Sequence, residues 1–442
     1  MKNKVGLALS GGGYRATAFH LGTFRKLKEL GLLNKVDVIS TISGGSITGA
    51  YYALHDENFE DFEQGLRKAL GKSSLLTVKL YLFLVVLPIV IVPIFFMGPN
   101  WLSVVWIAAV VFISAKYQFT IIPASSFIER RYRKLFFGES MLKDLSKNTT
   151  VVVNSTNIES SRQFSFSRTK MSDSRYSHPD DGSAPVSFNH ENFPVSKAVM
   201  ASTCVPFAFT PVKISKKYIN RQNSRGKIKP LLIDGGVYDN QGIHKLTHEN
   251  SSYYCAETII VSDAGIGYKP WLKNNLVSLL IKTSDLFMNR IKNIQYIQHQ
   301  IKNRYLDNRE VAYFSLWFKP DEAIHYFVRF LKDNLAVDSV LAAHGLTQEK
   351  ISNKTDKELV AIIKENIGFK NLAQNFPTEE EYKTANSVGT NLTPLKKDEI
   401  DSLVKVAESL TEVYLKLYCP KIFNGNVKST ETLAFSIWSF QQ

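Results

Sequence analysis

The residues of this 442-residue chain best suited to chemistry stand at three glycine-bounded turns. Ser43 lies in Thr41-Ile42-Ser43-Gly44-Gly45, where an apolar run passes straight into a helical pattern. A serine at such a turn is held clear of the backbone with its oxygen aimed at the helix N-terminus, which suits attack on an acyl carbon. The turn is crowded and needs small neighbours, here Gly44 and Gly45. The usual pattern is Gly-x-Ser-x-Gly, and Thr41 stands where its first glycine would be. By itself the pentapeptide reads equally well as a helix-capping serine. Ser46 competes as nucleophile, but it has Thr48 two residues on and falls within the helix. Gly11, Gly12 and Gly13 follow the first apolar run, with Arg15 just beyond. Successive glycines let backbone N–H groups converge on one point, as an oxyanion requires. A plain tight turn is the alternative; a phosphate loop lacks support, since Gly-x-Gly-x-x-Gly and Gly-Lys-Ser/Thr are both absent.

A serine nucleophile needs a base. Of the later histidines, His55, His178, His190, His244, His248, His299, His325 and His344, none sits in a recognisable catalytic loop. His244 and His248 have metal-like spacing, but Lys245 stands where His-Glu-x-x-His has its glutamate, so they read as surface residues. Asp234 is a better candidate. In Leu231-Leu232-Ile233-Asp234-Gly235-Gly236 it ends an apolar strand and precedes two glycines. Desolvation there would raise its pKa enough to accept a serine proton. A turn-forming Asp-Gly is the plainer reading. Asp263, at the end of Ile259–Ser262, is the runner-up.

The elements around these turns follow in order. Val5–Leu9 reads as a buried strand, Ala16–Gly31 as a helix, Val36–Thr41 as a strand and Gly44–Leu54 as a helix. This order implies an α/β fold with a mostly parallel sheet covered by helices, in which neighbouring strand ends would bring the glycine loop beside Ser43. Thr150–Asn154, Gln163–Ser167, Leu231–Ile233 and Thr258–Ser262 read as further strands. Val195–Thr203, Trp271–Tyr305 and Lys396–Leu417 read as helices, and residues 172–192 as a loop. Ser126–Glu129 resembles a capping box opening a basic helix.

Residues 80–115 break the pattern: 36 positions carry no charge, with Gly98-Pro99-Asn100 as a turn near the middle. The first arm, Leu80–Met97, would be about 27 Å long as a helix, close to a hydrocarbon core of about 30 Å. The second, Trp101–Ala115, extends to Ile122 if Lys116 snorkels. Arg67, Lys68, Lys72 and Lys79 precede the run; Lys116, Arg130, Arg131, Arg133 and Lys134 follow it. Basic residues on both flanks predict a transmembrane hairpin with both flanks, and the remaining chain, on the cytoplasmic side. A buried helical hairpin or re-entrant loop is the alternative, which Pro88 and Pro93 favour. The expected organisation is 1–75, 76–122 as the inserted hairpin, 123–310, and a mostly helical extension over 311–442.

Composition sets the outer bounds. Charged residues make up 21% and hydrophobic ones 44%, which excludes global disorder. The net charge of +14 favours an anionic partner. No aromatic-basic recognition motif points to nucleic acid, and a basic-flanked hairpin accounts for the charge better. Cys204, Cys255 and Cys419 form no disulfide framework or metal motif. The N-terminal strand is too short for a signal-peptide core, so no secretion is expected.

Taken together, Gly11-Gly12-Gly13-Tyr14-Arg15, Ile42-Ser43-Gly44-Gly45-Ser46 and Asp234-Gly235-Gly236 resemble, in that order, the patatin-like phospholipases. Asn157-Ile158-Glu159 and Ala198–Pro211 are similar to two secondary segments of that family. The resemblance covers Val5–Leu54 and about 150–265, but not the hydrophobic hairpin, and it is thin after residue 310. It implies the family's three-layer fold and a Ser43–Asp234 dyad without histidine. It implies an oxyanion hole from Gly11–Gly13 with Gly44, with Arg15 steadying that loop or facing lipid phosphate. It implies hydrolysis of acyl esters in membrane phospholipid, as phospholipase A or lysophospholipase, with no metal or cofactor. A regulated membrane-damaging effector with the same activity, or a non-catalytic scaffold with a decayed core, are the alternatives.

Overall fold

The computed structural model describes residues 4–98, 100–180, 182, 184–219, 228–247, 253–267 and 275–423. The short apolar runs pair into one nine-stranded sheet. Its strands are β1 (Val5–Leu9), β2 (Val36–Ile42), β3 (Thr150–Asn157), β4 (Arg162–Phe166), β5 (Met171–Ser172), β6 (Val212–Lys213), β7 (Leu231–Ile233), β8 (Thr258–Asp263) and β9 (Glu310–Ser315). The main order is β5-β4-β3-β2-β1-β8-β9, and β7 pairs with both β3 and β6. Strands β3, β2, β1, β8 and β9 run parallel, and the pairings of β4 to β7 are antiparallel. The β1, β2 and β8 strands are buried along nearly their whole length, as a parallel sheet covered on both faces demands.

The helices that matter to the site are α1 (Gly13–Glu29), α2 (Gly44–Ala53), α3 (Val195–Ser202), α4 (Leu276–Lys302) and α5 (Lys397–Tyr418). The chain steps from β1 through β2 to β3 on one side of β1, then returns to place β8 and β9 on the other. The carboxyl ends of β1 and β8 therefore flank a reversal of strand order, where open α/β sheets form their ligand crevice. Register aligns those ends, with Leu9 level with Thr41 on β2 and Ser262 on β8.

Several expectations change. Strand β9, which the sequence reading passed over, joins β8 in parallel, so the expected boundary at 310 falls on the first residue of a strand in the same sheet. Helix α5 lies along α1 so closely that a Cβ on Gly22 would come within 2.2 Å of the Val404 carbonyl oxygen. The C-terminal region thus completes the core. The capping box at Ser126 is not formed: that helix runs Ala124–Tyr132, Pro123 occupies its N-cap and no side chain caps it. The polar 172–192 stretch contains the end of β5 and a helical turn, Ser174–Ser177, capped by Asp173. His248, Pro99 and residues 271–274 lie outside the described residues.

The uncharged insert is helical from Leu76 to Met97, with a π-turn over Leu82–Val86 and Pro93 inside it, and again from Trp101 to Ile121. Asn100 caps the second helix by accepting from the N–H groups of Leu102 and Ser103. The Tyr81 hydroxyl donates to the Ile121 carbonyl at 2.9 Å, joining the two arms at their base. Phe83, Leu84, Phe95, Phe96, Trp101 and Phe112 are exposed. Among the described residues no single helix is long and apolar enough to cross a membrane. One bent pair, Trp101–Ser114 with Lys116–Phe137 at 73°, has the length and composition to do so. Arg67 is paired with Glu63 and Asp401, and Arg133 with Glu129 and Glu139. Lys68, Lys72, Lys79, Lys116, Arg130 and Lys134 remain exposed.

Candidate active site

Strand β2 ends at Ile42 and α2 begins at Gly44, leaving Ser43 alone to turn the chain. It does so at φ 48°, ψ −117°, a strained backbone for a residue with a Cβ. Its surroundings hold it there. The Ser43 N–H donates to Ser202 Oγ at the end of α3 at 2.9 Å, and Ser202 Oγ donates to the Asn154 carbonyl on β3 at 2.6 Å. Gly44 has no room for a side chain, since a Cβ would come within 2.1 Å of the Gly13 carbonyl oxygen; at Gly45 it would reach the Leu9 carbonyl. Thr41 fits where a glycine was expected because Gly49 leaves space for its methyl and its hydroxyl donates to the Val152 carbonyl at 3.0 Å. Ser46 is fully buried, with Thr41 Oγ1 and Ser202 Oγ each 2.9 Å away, which removes it as a nucleophile.

Asp234 stands one residue beyond β7; its carboxylate accepts from the Gly236 N–H at 2.7 Å, and the Ser43 hydroxyl is near enough to favour its charged form. Its backbone is anchored on both sides: its N–H donates to the Cys204 carbonyl at 2.8 Å, and its carbonyl accepts from Thr156 Oγ1 at 2.8 Å. Burial raises its carboxyl to about 6, against the opposing pull of the Gly236 N–H and the Ser43 hydroxyl. Asp263 has the opposite character. Burial alone would raise it, but Lys292, Tyr313 and the Gly265 N–H hold it at about 2. A carboxylate so tightly paired is a poor proton acceptor, so the runner-up acid is a structural ion-pair partner.

The glycine loop is only partly as expected. The Gly11 N–H is spent on the Asn240 carbonyl at 3.0 Å, which corrects its place among the oxyanion donors. Gly11 makes room instead: a Cβ there would lie 2.4 Å from Asn240 Oδ1 and 3.2 Å from the Ser43 Cβ, so a larger residue would displace the Asn240 side chain. The N–H groups of Gly12, Gly13 and Gly44 have no acceptor among the described residues. Gly12 and Gly13 take φ values of 144° and 60°, the conformations that glycine alone adopts without strain. Arg15 is buried; its guanidinium donates to the carbonyls of Ala264 at 3.0 Å and Val388 at 3.3 Å, so it steadies the loop.

Three contributors gave no signal in the sequence. Ser202 lies in the Ala198–Pro211 segment, but only the fold brings it to Ser43. His20 is wholly buried, with Nε2 2.9 Å from the Ser10 carbonyl and Nδ1 2.9 Å from Ser262 Oγ. A carbonyl only accepts, so Nε2 carries the proton, and burial lowers the ring to about 4, which keeps it neutral. Segment 388–392 packs onto the glycine loop, where the Asn391 carbonyl accepts from the Tyr14 N–H at 2.9 Å. Ser43, Asp234, Gly11, Gly12 and Arg15 line a cavity of about 1040 Å³, room for a substantial organic ligand. Cys204 is buried beside it, its thiol pushed up to about 12 by desolvation. No His/Cys/Asp/Glu cluster among the described residues would hold a metal ion.

A family model described as patatin-like phospholipase matches residues 7–247, more than half of the chain. The chain belongs to this family. The match runs from β1 past β7 and takes in the glycine loop, Ser43 and Asp234, so the mostly parallel sheet with covering helices is the patatin-like fold. Similar solved structures include the human GIVD cytosolic phospholipase A2, at 11% identity and TM-score 0.46 over 96% of this chain and 63% of that one. VipD from Legionella pneumophila is similar at 12% identity and TM-score 0.31, over 93% and 92%. The chain thus spans 63% of the length of the human protein. No curated protein matches it in sequence.

Proposed function

We propose that this patatin-like chain is a serine lipid acyl hydrolase that cleaves acyl esters of membrane phospholipids through a Ser43–Asp234 dyad. The observation that carries the reading is that Ser43, on a strained strand-to-helix turn, shares a cavity with the buried Asp234 carboxyl, which desolvation raises to about 6, beside three unspent backbone N–H groups. Ionised Asp234 takes the Ser43 proton as Oγ attacks the ester carbonyl. The carbonyl oxygen becomes the tetrahedral anion, and the N–H groups of Gly12, Gly13 and Gly44 stabilise it; such a donor is often worth about 3 kcal/mol. As the C–O bond breaks, Asp234 returns the proton to the departing alcohol. Water, deprotonated by Asp234, then attacks the acyl-serine; as the bond to Ser43 Oγ breaks, Asp234 returns that proton to Oγ and the fatty acid leaves. The steps need only a serine, a carboxylate and backbone donors.

The exposed apolar insert gives this chemistry a location. In our reading residues 80–115 enter the bilayer, and the exposed lysines at its base lie against the cytoplasmic leaflet, where each is worth about 1 kcal/mol of attraction to anionic lipid. Thr210, in the loop that follows Val205 and Pro206 at the cavity, donates to the Ile122 carbonyl at 3.0 Å, which ties the base of the insert to the rim of the site. The test is the purified full chain on mixed phospholipid vesicles, wild type against Ser43→Ala, with released species identified by mass. Free fatty acid and lysolipid from the wild type alone are expected. Release that persists in Ser43→Ala would sink the assignment.

A further inference from the structure

Helix α4 has two unlike faces. One turns Lys282, Asp285, Met288, Asn289, Lys292 and Tyr296 toward the cavity that holds Ser43 and Asp234. Lys292 bonds Asp263 and so ties this face to the end of β8, while the helix packs against Gly236–Asp239, the turn directly after the catalytic aspartate. At 100° per residue, Leu279, Leu280, Leu286, Phe287 and Ile294 fall on the opposite arc. All five are exposed, Leu286 and Phe287 at 65% and 61%. Arg290, also exposed, lies among them. Four lysines and arginines against a single acid, Asp285, make the helix strongly basic.

An apolar arc bearing an arginine on a basic helix has the composition of an element that lies in a lipid–water interface. Its position narrows the occupant further. Val205 and Pro206 line the same cavity; the adjoining Phe207 is exposed, and its loop is tied to the base of the apolar insert through Thr210 and Ile122. Exposed apolar side chains thus stand on the outer face of α4, whose inner face walls the cavity, and on the loop joined to the insert; exposed Arg290 on the helix and exposed lysines at the base of the insert stand beside them.

We propose that the outer face of α4 is an interfacial docking surface for an anionic lipid leaflet, on the helix whose inner face walls the catalytic cavity. The proposal rests on the hydrolase reading for its purpose, because a helix with one face on lipid and the other on the dyad shortens the path of a lipid from leaflet to Ser43. The surface predicts a division between substrates. Lipid packed in a bilayer must be lifted past α4, whereas a short-chain ester dissolved in water reaches Ser43 without it.

The full chain carrying Leu286→Ser and Phe287→Ser is assayed on phosphatidylglycerol–phosphatidylcholine vesicles and on monomeric p-nitrophenyl butyrate. Vesicle hydrolysis is expected to fall about tenfold or more, with the soluble ester changed by less than about twofold. Unchanged vesicle hydrolysis would overturn the proposal, as would an equal loss on both substrates, which marks a structural role. A wild-type dimer that the double substitution dissociates in light scattering would also overturn it, by making the arc a contact between copies. A second readout needs no activity. Phe287→Cys, in a Cys255→Ser background, carries an environment-sensitive fluorophore, which should shift to the blue on these vesicles and be quenched by brominated acyl chains. Insertion of the probe in a chain that hydrolyses no ester would uphold the surface and remove the hydrolase reading. Hydrolysis without insertion would do the reverse.

Discussion

At the scale of single residues, the account turns on the contrast between two aspartates. Asp234 and Asp263 both end apolar strands and both precede a small residue, so the sequence left them as rivals. The fold separates them by their neighbours: Asp234 has only a hydroxyl and one N–H to favour its charge, whereas Asp263 has the Lys292 ammonium. The sign of the pH dependence follows. A base must be ionised, and Asp234 is protonated below about 6, so kcat/KM for a soluble ester should rise with pH and level off above about 7. A limb centred near 4 would mean that the acting carboxylate is not a desolvated one. The sharp turn at Ser43 was legible because such a turn forces glycines into the sequence beside it. Gly11 was misjudged for the same reason: a glycine that donates and a glycine that only makes room look alike until the Asn240 carbonyl is in view.

At the scale of elements, the parallel strands were legible and their supports were not. Alternating strand and helix patterns imply a parallel sheet wherever they occur. Strand β9 and the segment at 388–392 escaped notice because their partners, β8 and the glycine loop, are far away in sequence. Helix α3 shows what such partners do. Its last residue, Ser202, accepts from the Ser43 N–H and donates to β3, so three elements hold one strained turn. Removing that oxygen leaves a buried N–H unpaired, at a cost of about 1–3 kcal/mol. Ser202→Ala should therefore lower kcat about tenfold or more while KM stays near the wild-type value. Steady-state kinetics on a soluble ester read this split, and an unchanged kcat would show that the elbow holds its shape without α3.

At the scale of the whole molecule, the apolar insert falls between the two proposed catalytic residues: the chain leaves the sheet after Ser43, forms two helical arms with exposed apolar side chains, and re-enters before Asp234. The hydrophobic run was plain in the sequence, because 36 uncharged residues have no counterpart elsewhere in the chain. How the arms bend was not: the break at Tyr117 and the π-turn at Leu82–Val86 fall among apolar residues with no proline or glycine to mark them. If the hairpin is the principal anchor, a chain lacking residues 80–115 should move from the membrane pellet to the supernatant in cell fractionation while still cleaving a soluble ester. Retention in the pellet would contradict that role. The central claim, that Ser43 is the nucleophile, has a more direct test. A fluorophosphonate reacts with an activated serine, and peptide mass mapping locates the adduct. The account predicts one adduct, on the peptide containing Ser43, absent from Ser43→Ala and from Asp234→Asn. An adduct on any other serine, or one that survives in Asp234→Asn, would contradict it.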